Sequence, residues 1–181
     1  NLDLFYETVS SVMASVPKYR WNVLFVDDGS RDLSWERIAH LSLRDTRVKG
    51  ISFSRNFGKE VALFAGISQI RDASAVIVID ADLQHPPSLV PVMIEKWEEG
   101  YKIVGTKRME INHSFVRRIG SKLFYFFLNR YSDISLIPNS TDFRLLDAKV
   151  IKVLQSFKEH PQFFRGIVDW VGFKKIYLAF S

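Results

Sequence analysis

The chain has 181 residues, with 25 Lys plus Arg against 20 Asp plus Glu, for a formal net charge of +5. With 47% hydrophobic and 25% charged residues it can bury a sizeable core, which excludes disordered and collagen-like classes, and the length fits one domain over residues 1–181. Cysteine is absent, so disulfide frameworks, thiolate zinc sites and cysteine nucleophiles are excluded together.

Leu2, Phe5, Val9, Val12, Met13 and Val16 recur at helical spacing, and Pro17 ends that pattern. Trp21 to Val26 reads as a strand closed by the turn Asp27-Asp28-Gly29-Ser30. A helix over about Ser34 to Arg44 leads to a strand near Val48 to Phe53, and one over about Lys59 to Arg71 leads to the strand Ala75 to Ile79. A helix from about Ser88 to Glu99 then leads to the strand Lys102 to Gly105. This alternation predicts an α/β fold with a mostly parallel, Rossmann-like sheet and helices on both faces.

From residue 106 the rhythm changes. A polar stretch precedes an aromatic-rich helix from about Phe115 to Arg130, followed by a strand at Asp142 to Leu146, two helical stretches and a strand near Phe173 to Phe180. Phe163, Phe164, Ile167, Val168 and Val171 follow helical spacing and read as core; no chemistry is assigned to Arg165, Trp170 or Gly172. Apolar runs such as Ala75 to Ile79 and Leu123 to Leu128 are far shorter than the ~18 residues of a membrane span. With no initiator Met and a helix from its first residues, the chain reads as a fragment cropped at both ends.

Ligands of open parallel sheets bind outside the carboxyl ends of the strands, where two acidic clusters fall: Asp27-Asp28-Gly29-Ser30 and Asp80-Ala81-Asp82-Leu83-Gln84. At extended spacing Asp80, Asp82 and Gln84 point to one side and offer hard oxygen donors suited to Mg²⁺ or Mn²⁺, which would bridge nucleotide phosphates. The other reading is that Asp80 and Asp82 are turn and cap residues before Pro86-Pro87. Asp27 and Asp28 likewise either close a turn or accept hydrogen bonds from a nucleobase or ribose. Lys59 opens a helix beside a strand end, where it would meet a phosphate or remain solvated. Dinucleotide-fold and P-loop glycine patterns are absent. The four histidines read as structural or surface residues.

Together, Val26-Asp27-Asp28-Gly29-Ser30, Ser54-Arg55-Asn56-Phe57-Gly58-Lys59-Glu60, Asp80 to Pro87 and Asp142-Phe143-Arg144-Leu145-Leu146-Asp147 resemble, in order, the signatures of family 2 glycosyltransferases. The likeness is nearest to the branch of dolichol-phosphate mannosyltransferase and the bacterial polyprenyl-phosphate (bactoprenol) glucosyltransferases. It implies a GT-A fold whose first strand precedes Asn1, with a donor-binding part over about 1–106 and an acceptor-binding part over about 107–181. It also implies an inverting transfer of a hexose from a nucleotide sugar such as UDP-glucose to a polyprenyl (undecaprenyl or dolichyl) phosphate. That chemistry would take place at the cytoplasmic face of a membrane, with a homo-oligomer allowed and no nucleic acid involved.

By position, the resemblance gives the metal, Mg²⁺ or Mn²⁺, to Asp80, Asp82 and Gln84, and the donor to Asp27, Asp28, Lys59 and Asp80. It gives the acceptor phosphate to Arg108, Arg117, Ser121 and Arg144. The catalytic carboxylates are Asp142, matching the proposed base, and Asp82. A lipid phosphate is already ionised near pH 7, so Asp142 is open to an orienting role instead. Thr141 stands where the family usually has Gly. The alternatives are transfer to a polysaccharide or a protein, a phosphoacceptor receiver domain, and a nucleic-acid-binding module favoured only by the charge.

The charge is localised. Lys102 to Arg130 holds seven Lys or Arg and one acid, Glu110, a net +6 that leaves −1 for the rest. On an amphipathic helix, Arg117, Arg118 and Lys122 beside Phe115, Phe124, Phe126 and Phe127 form the pattern of a membrane-surface element, or of a core helix with solvated cations.

Overall fold

Helix α1 (Leu2–Ala14) buries Phe5 edge-on against Phe25, ring centroids 6.2 Å apart, in the computed structural model, which describes residues 2–109, 137, 139–157 and 163–180. Phe25 belongs to strand β1 (Val23–Asp27), and Ile38, Leu41 and Val48 complete the cluster from helix α2 (Ser34–Arg44) and strand β2 (Val48–Ser52). β1 and β2 pair in parallel, Val23 opposite Val48 and Asp27 opposite Ser52. Both strands therefore deliver their last residues to one edge.

Helix α3 (Lys59–Ser68) begins after Gly58, whose φ of 98° no side chain adopts easily, and has no side-chain cap. Strand β3 (Ala75–Val78) precedes a 3-10 turn at Pro87–Leu89 and helix α4 (Val90–Glu98), with Pro91 in its first turn where no amide donor is needed. Strands β4 (Ile103–Arg108) and β5 (Ser140–Asp147) follow, then helix α5 (Ala148–Ser156), helix α6 (Phe164–Trp170) and strand β6 (Lys175–Phe180). Asp147 caps α5 by accepting from the Lys149 amide at 2.9 Å.

The second sheet has the order β3-β5-β4-β6. The expected parallel pairing holds for β1–β2 and β4–β6, while β5 runs antiparallel to both of its neighbours. Composition could not reveal this direction, because β5 lies between two strands and is buried on both faces, so it reads as an apolar run either way. Its alternation feeds two cores. Phe143 and Leu145 pack with Met93 and Ile94 of α4, whereas Leu146 joins Phe64 of α3, Val150 of α5 and Phe164 of α6 on the other face. Helices thus cover both faces, as the sequence predicts. Among the described residues no helix is long and apolar enough to cross a membrane. The expected helix at Phe115 to Arg130, with Arg117 and Ser121, lies outside the described residues.

Candidate active site

Because β5 is antiparallel, its first residues meet the carboxyl ends of β3 and β4. The register pairs Arg144 with Val78, and its continuation by two residues brings Asp142 toward Asp80, just beyond the end of β3. Lys59, the first residue of α3, occupies the gap, its Nζ 2.7 Å from Asp80 Oδ2 and 2.7 Å from Asp142 Oδ2. Arg165 approaches from α6, with Nε 2.8 Å from Asp142 Oδ1 and a second guanidinium nitrogen donating to the Ser140 carbonyl at 3.0 Å. These residues, with Arg108 and His85, line an open cleft of about 490 Å³.

Asp142 is 4% exposed, a costly place for a charge without partners. Burial alone raises its pKa, but Lys59, Arg165 and Arg144 outweigh that and hold the carboxyl below its ordinary value, so it is ionised near neutral pH. For Lys59, burial works toward a lower pKa, and Asp142 and Asp80 more than compensate, leaving it raised. His85 packs against Phe143 and Phe180, and burial lowers its pKa, so the imidazole is neutral at pH 7. Its Nδ1 lies 3.8 Å from Asp80 Oδ2, so this histidine, read from the sequence as structural or surface, borders the cleft.

The two clusters expected to bind ligand differ in geometry. Asp27 is buried, accepting from the Ser30 amide at 3.2 Å and the Ser52 hydroxyl at 2.9 Å, so it closes the β1 turn and ties β1 to β2. Asp28 accepts from the amides of Phe57 and Gly58 at 2.7 and 2.9 Å, which fixes the loop before α3. The extended spacing assumed for Asp80, Asp82 and Gln84 does not hold. β3 ends at Val78, Ala81 and Asp82 form a turn, and Leu83 takes a φ of 62°. Asp82 is exposed and accepts from the Gln84 amide at 3.0 Å, while Gln84 Oε1 accepts from Arg108 at 3.1 Å.

The oxygen donors still fit a hard divalent cation in type. Among the described residues no cation lies within ion-pair distance of Asp82, whereas Asp80 and Gln84 are engaged by Lys59 and Arg108. Arg144, expected at the acceptor phosphate, does not reach the cleft. It is 0% exposed, donates to the Thr141 carbonyl at 2.8 Å and sits over the Phe164 ring at 5.8 Å. Thr141 carries no positive φ, and its hydroxyl pairs with that of Thr106 at 2.6 Å, so the departure from Gly is accommodated. Sequence reasoning missed Arg165. Its signal was a resemblance, shared with Trp170 and Gly172, to a family pattern without an assigned chemistry, and α6 had to be folded against β5 before Asp142 became its neighbour.

The sequence matches Glycosyl transferase family 2 over residues 2–154. The chain belongs to this family. It is 43% identical over 171 residues to the uncharacterized glycosyltransferase YkcC of Bacillus subtilis, covering 94% of this chain and 52% of that protein. It is 37% identical over 172 residues to the bactoprenol glucosyl transferase of Shigella phage SfV, covering 94% of this chain and 55% of that protein. The chain thus spans about half the length of the curated relatives it matches. Among solved structures, the bifunctional IspDF of Campylobacter jejuni aligns with a TM-score of 0.55 at 11% identity, over 98% of this chain and 42% of that one. TarS of S. aureus aligns with a TM-score of 0.54 at 12% identity, over 96% and 55% of the two chains. At such identity these two establish the fold alone, an α/β architecture of the GT-A kind. Arg165 lies beyond the matched segment of this glycosyltransferase family member.

Proposed function

We propose that this domain catalyses inverting, metal-dependent transfer of a hexose from a nucleotide sugar, UDP-glucose or similar, to a polyprenyl phosphate at the cytoplasmic face of a membrane. The observation that carries this reading is the cleft itself, where a buried, ionised Asp142 stands among Lys59, Arg165 and Arg108 at the shared edge of β3, β4 and β5. The kinship to bactoprenol glucosyl transferases supports the acceptor class. A cationic rim suits a reaction between two phosphate-bearing substrates, whereas a neutral hydroxyl acceptor offers no reason for it.

In this reading residues up to about 106 bind the donor and those beyond bind the acceptor. Asp82, with Asp80 and Gln84, would hold Mg²⁺ or Mn²⁺, which supplies charge stabilisation to the departing diphosphate. Arg108, together with Arg117 and Ser121, would receive the acceptor phosphate. Asp142 orients the acceptor or the sugar, since an ionised phosphate oxygen needs little help in losing a proton, and positioning carries much of the catalysis. Incubating a full-length preparation with UDP-glucose, UDP-N-acetylglucosamine or GDP-mannose and undecaprenyl phosphate tests this. Metal-dependent glycolipid formation is expected, and no transfer from any donor would overturn it.

A further inference from the structure

Among the described residues Asp142 forms ion pairs with two cations, Lys59 and Arg165, and they are held differently. Both border the open cleft, but Lys59 belongs to α3 and divides its charge between Asp142 and Asp80. Arg165 is tied to the strand that carries Asp142 itself, through the Ser140 carbonyl two residues upstream. Asp142 Oδ1 is buried, and among the described residues no aligned hydrogen-bond donor reaches it, its contact there being the Arg165 ion pair. The start of α6 is anchored too: the Phe164 amide donates to Glu60 Oε2 at 2.6 Å, and the Phe164 ring packs edge-on against Phe64, centroids 5.5 Å apart. Glu60 directly follows Lys59. One step of chain at the start of α3 therefore sets both cations on Asp142, Lys59 directly and Arg165 through the α6 backbone.

We propose that Arg165 is a positioning residue that keeps the Asp142 carboxylate fixed when Lys59 turns to an incoming phosphate, and that Glu60 holds Arg165 in register through the Phe164 amide. An ammonium shared between two carboxylates is the partner an anion can draw away; a guanidinium fastened to both the side chain and the backbone of β5 is the one that stays. The inference rests on the functional reading that Asp142 acts beside the acceptor.

Steady-state transfer by the full-length protein, using the donor accepted by the unmodified enzyme, tests it. Arg165→Gln is expected to lower kcat by about 10- to 100-fold, as misplacement of a reacting group does. Donor KM and calorimetric donor affinity stay unchanged, and Arg165→Lys recovers more kcat than the Gln variant retains. Unchanged kcat, or a loss that appears in donor affinity instead, overturns the proposal. Should Arg165→Gln fail to fold, the Glu60 pair decides: Glu60→Ala lowers kcat and Glu60→Gln, which keeps an acceptor oxygen for the Phe164 amide, restores it, while equal kcat in both rejects the coupling. Absence of transfer by the unmodified protein would overturn the functional reading and this inference with it.

Discussion

Asp80 and Asp142 share one ammonium: Lys59 Nζ lies 2.7 Å from a carboxylate oxygen of each. One residue comes from the metal-type motif after β3, the other from a strand more than sixty residues later, and only the antiparallel direction of β5 brings them together. Lys59 thus screens two like charges, and its removal should cost about 1–2 kcal/mol, between the values for exposed and buried pairs. Lys59→Met is expected to lower the urea midpoint, and adding Asp80→Asn should recover part of the loss by removing one of the two carboxylates. A double variant no more stable than Lys59→Met would mean that screening is not what Lys59 does.

Of the two carboxylates in the motif after β3, Asp82 is the more available to a divalent cation, being exposed and unpaired with any cation among the described residues, whereas Asp80 is paired with Lys59. Asp82→Asn should abolish the Mn²⁺-dependent part of UDP-glucose binding, read by calorimetry with and without the ion, and leave the fold intact because its present contact is to the Gln84 amide. Equal binding by the variant and the unmodified protein would remove Asp82 from the metal site.

Local pattern made much of this fold legible. Helix α2 at Ser34–Arg44 coincides with its periodicity, and the six strands fall within a few residues of their apolar runs. Relations between elements were not legible. The antiparallel course of β5 leaves no mark on a strand buried on both faces, and the turn at Ala81 and Asp82 breaks the alternation that the acidic spacing implied. Asp28 reads as a turn residue or a ligand contact, and the sequence does not show that the loop at Phe57 and Gly58 folds onto it; Arg144 reads as an anion site, and only the fold shows α6 covering it. Arg165 is the converse, a cation that fits a family pattern without an assigned chemistry and that only a long-range contact sets beside Asp142.

Acid stability should fall in two stages. Burial depresses the His85 pKa, so the folded state keeps it neutral while the unfolded chain takes up a proton; its contribution is present above about pH 6.5 and declines as the pH drops below that. The Asp142 pKa is also depressed, since its cations outweigh burial, so its contribution is present above the ordinary carboxylate value of about 3.9 and is lost as the pH falls toward the folded value. Urea midpoints measured across acid pH should show both stages, with His85→Phe removing the upper and Asp142→Asn reducing the lower. An upper stage that persists in His85→Phe would assign it to another group.

Gly29 joins the two loops that border the proposed donor side. Its φ is 67°, and a Cβ there would stand 2.3 Å from the Arg55 carbonyl carbon, a backbone atom that cannot swing away. Gly29→Ala therefore combines left-handed strain of about 1–3 kcal/mol with a clash that pushes the β1 turn off the segment at Arg55. That displacement strikes the contact by which Asp28 holds the amides of Phe57 and Gly58, immediately before Lys59. The variant should lose stability by thermal unfolding and, at temperatures where it remains folded, bind UDP-glucose more weakly than the unmodified protein. Gly58 is a different case: at φ 98° and ψ 151° it lies where only glycine is comfortable, and among the described residues a Cβ there meets nothing within 4 Å, so Gly58→Ala should lose stability through backbone strain alone. UDP-glucose binding by folded Gly29→Ala equal to that of the unmodified protein would show that the approach of Arg55 does not govern the donor side, and that backbone conformation alone is what requires glycine at position 29.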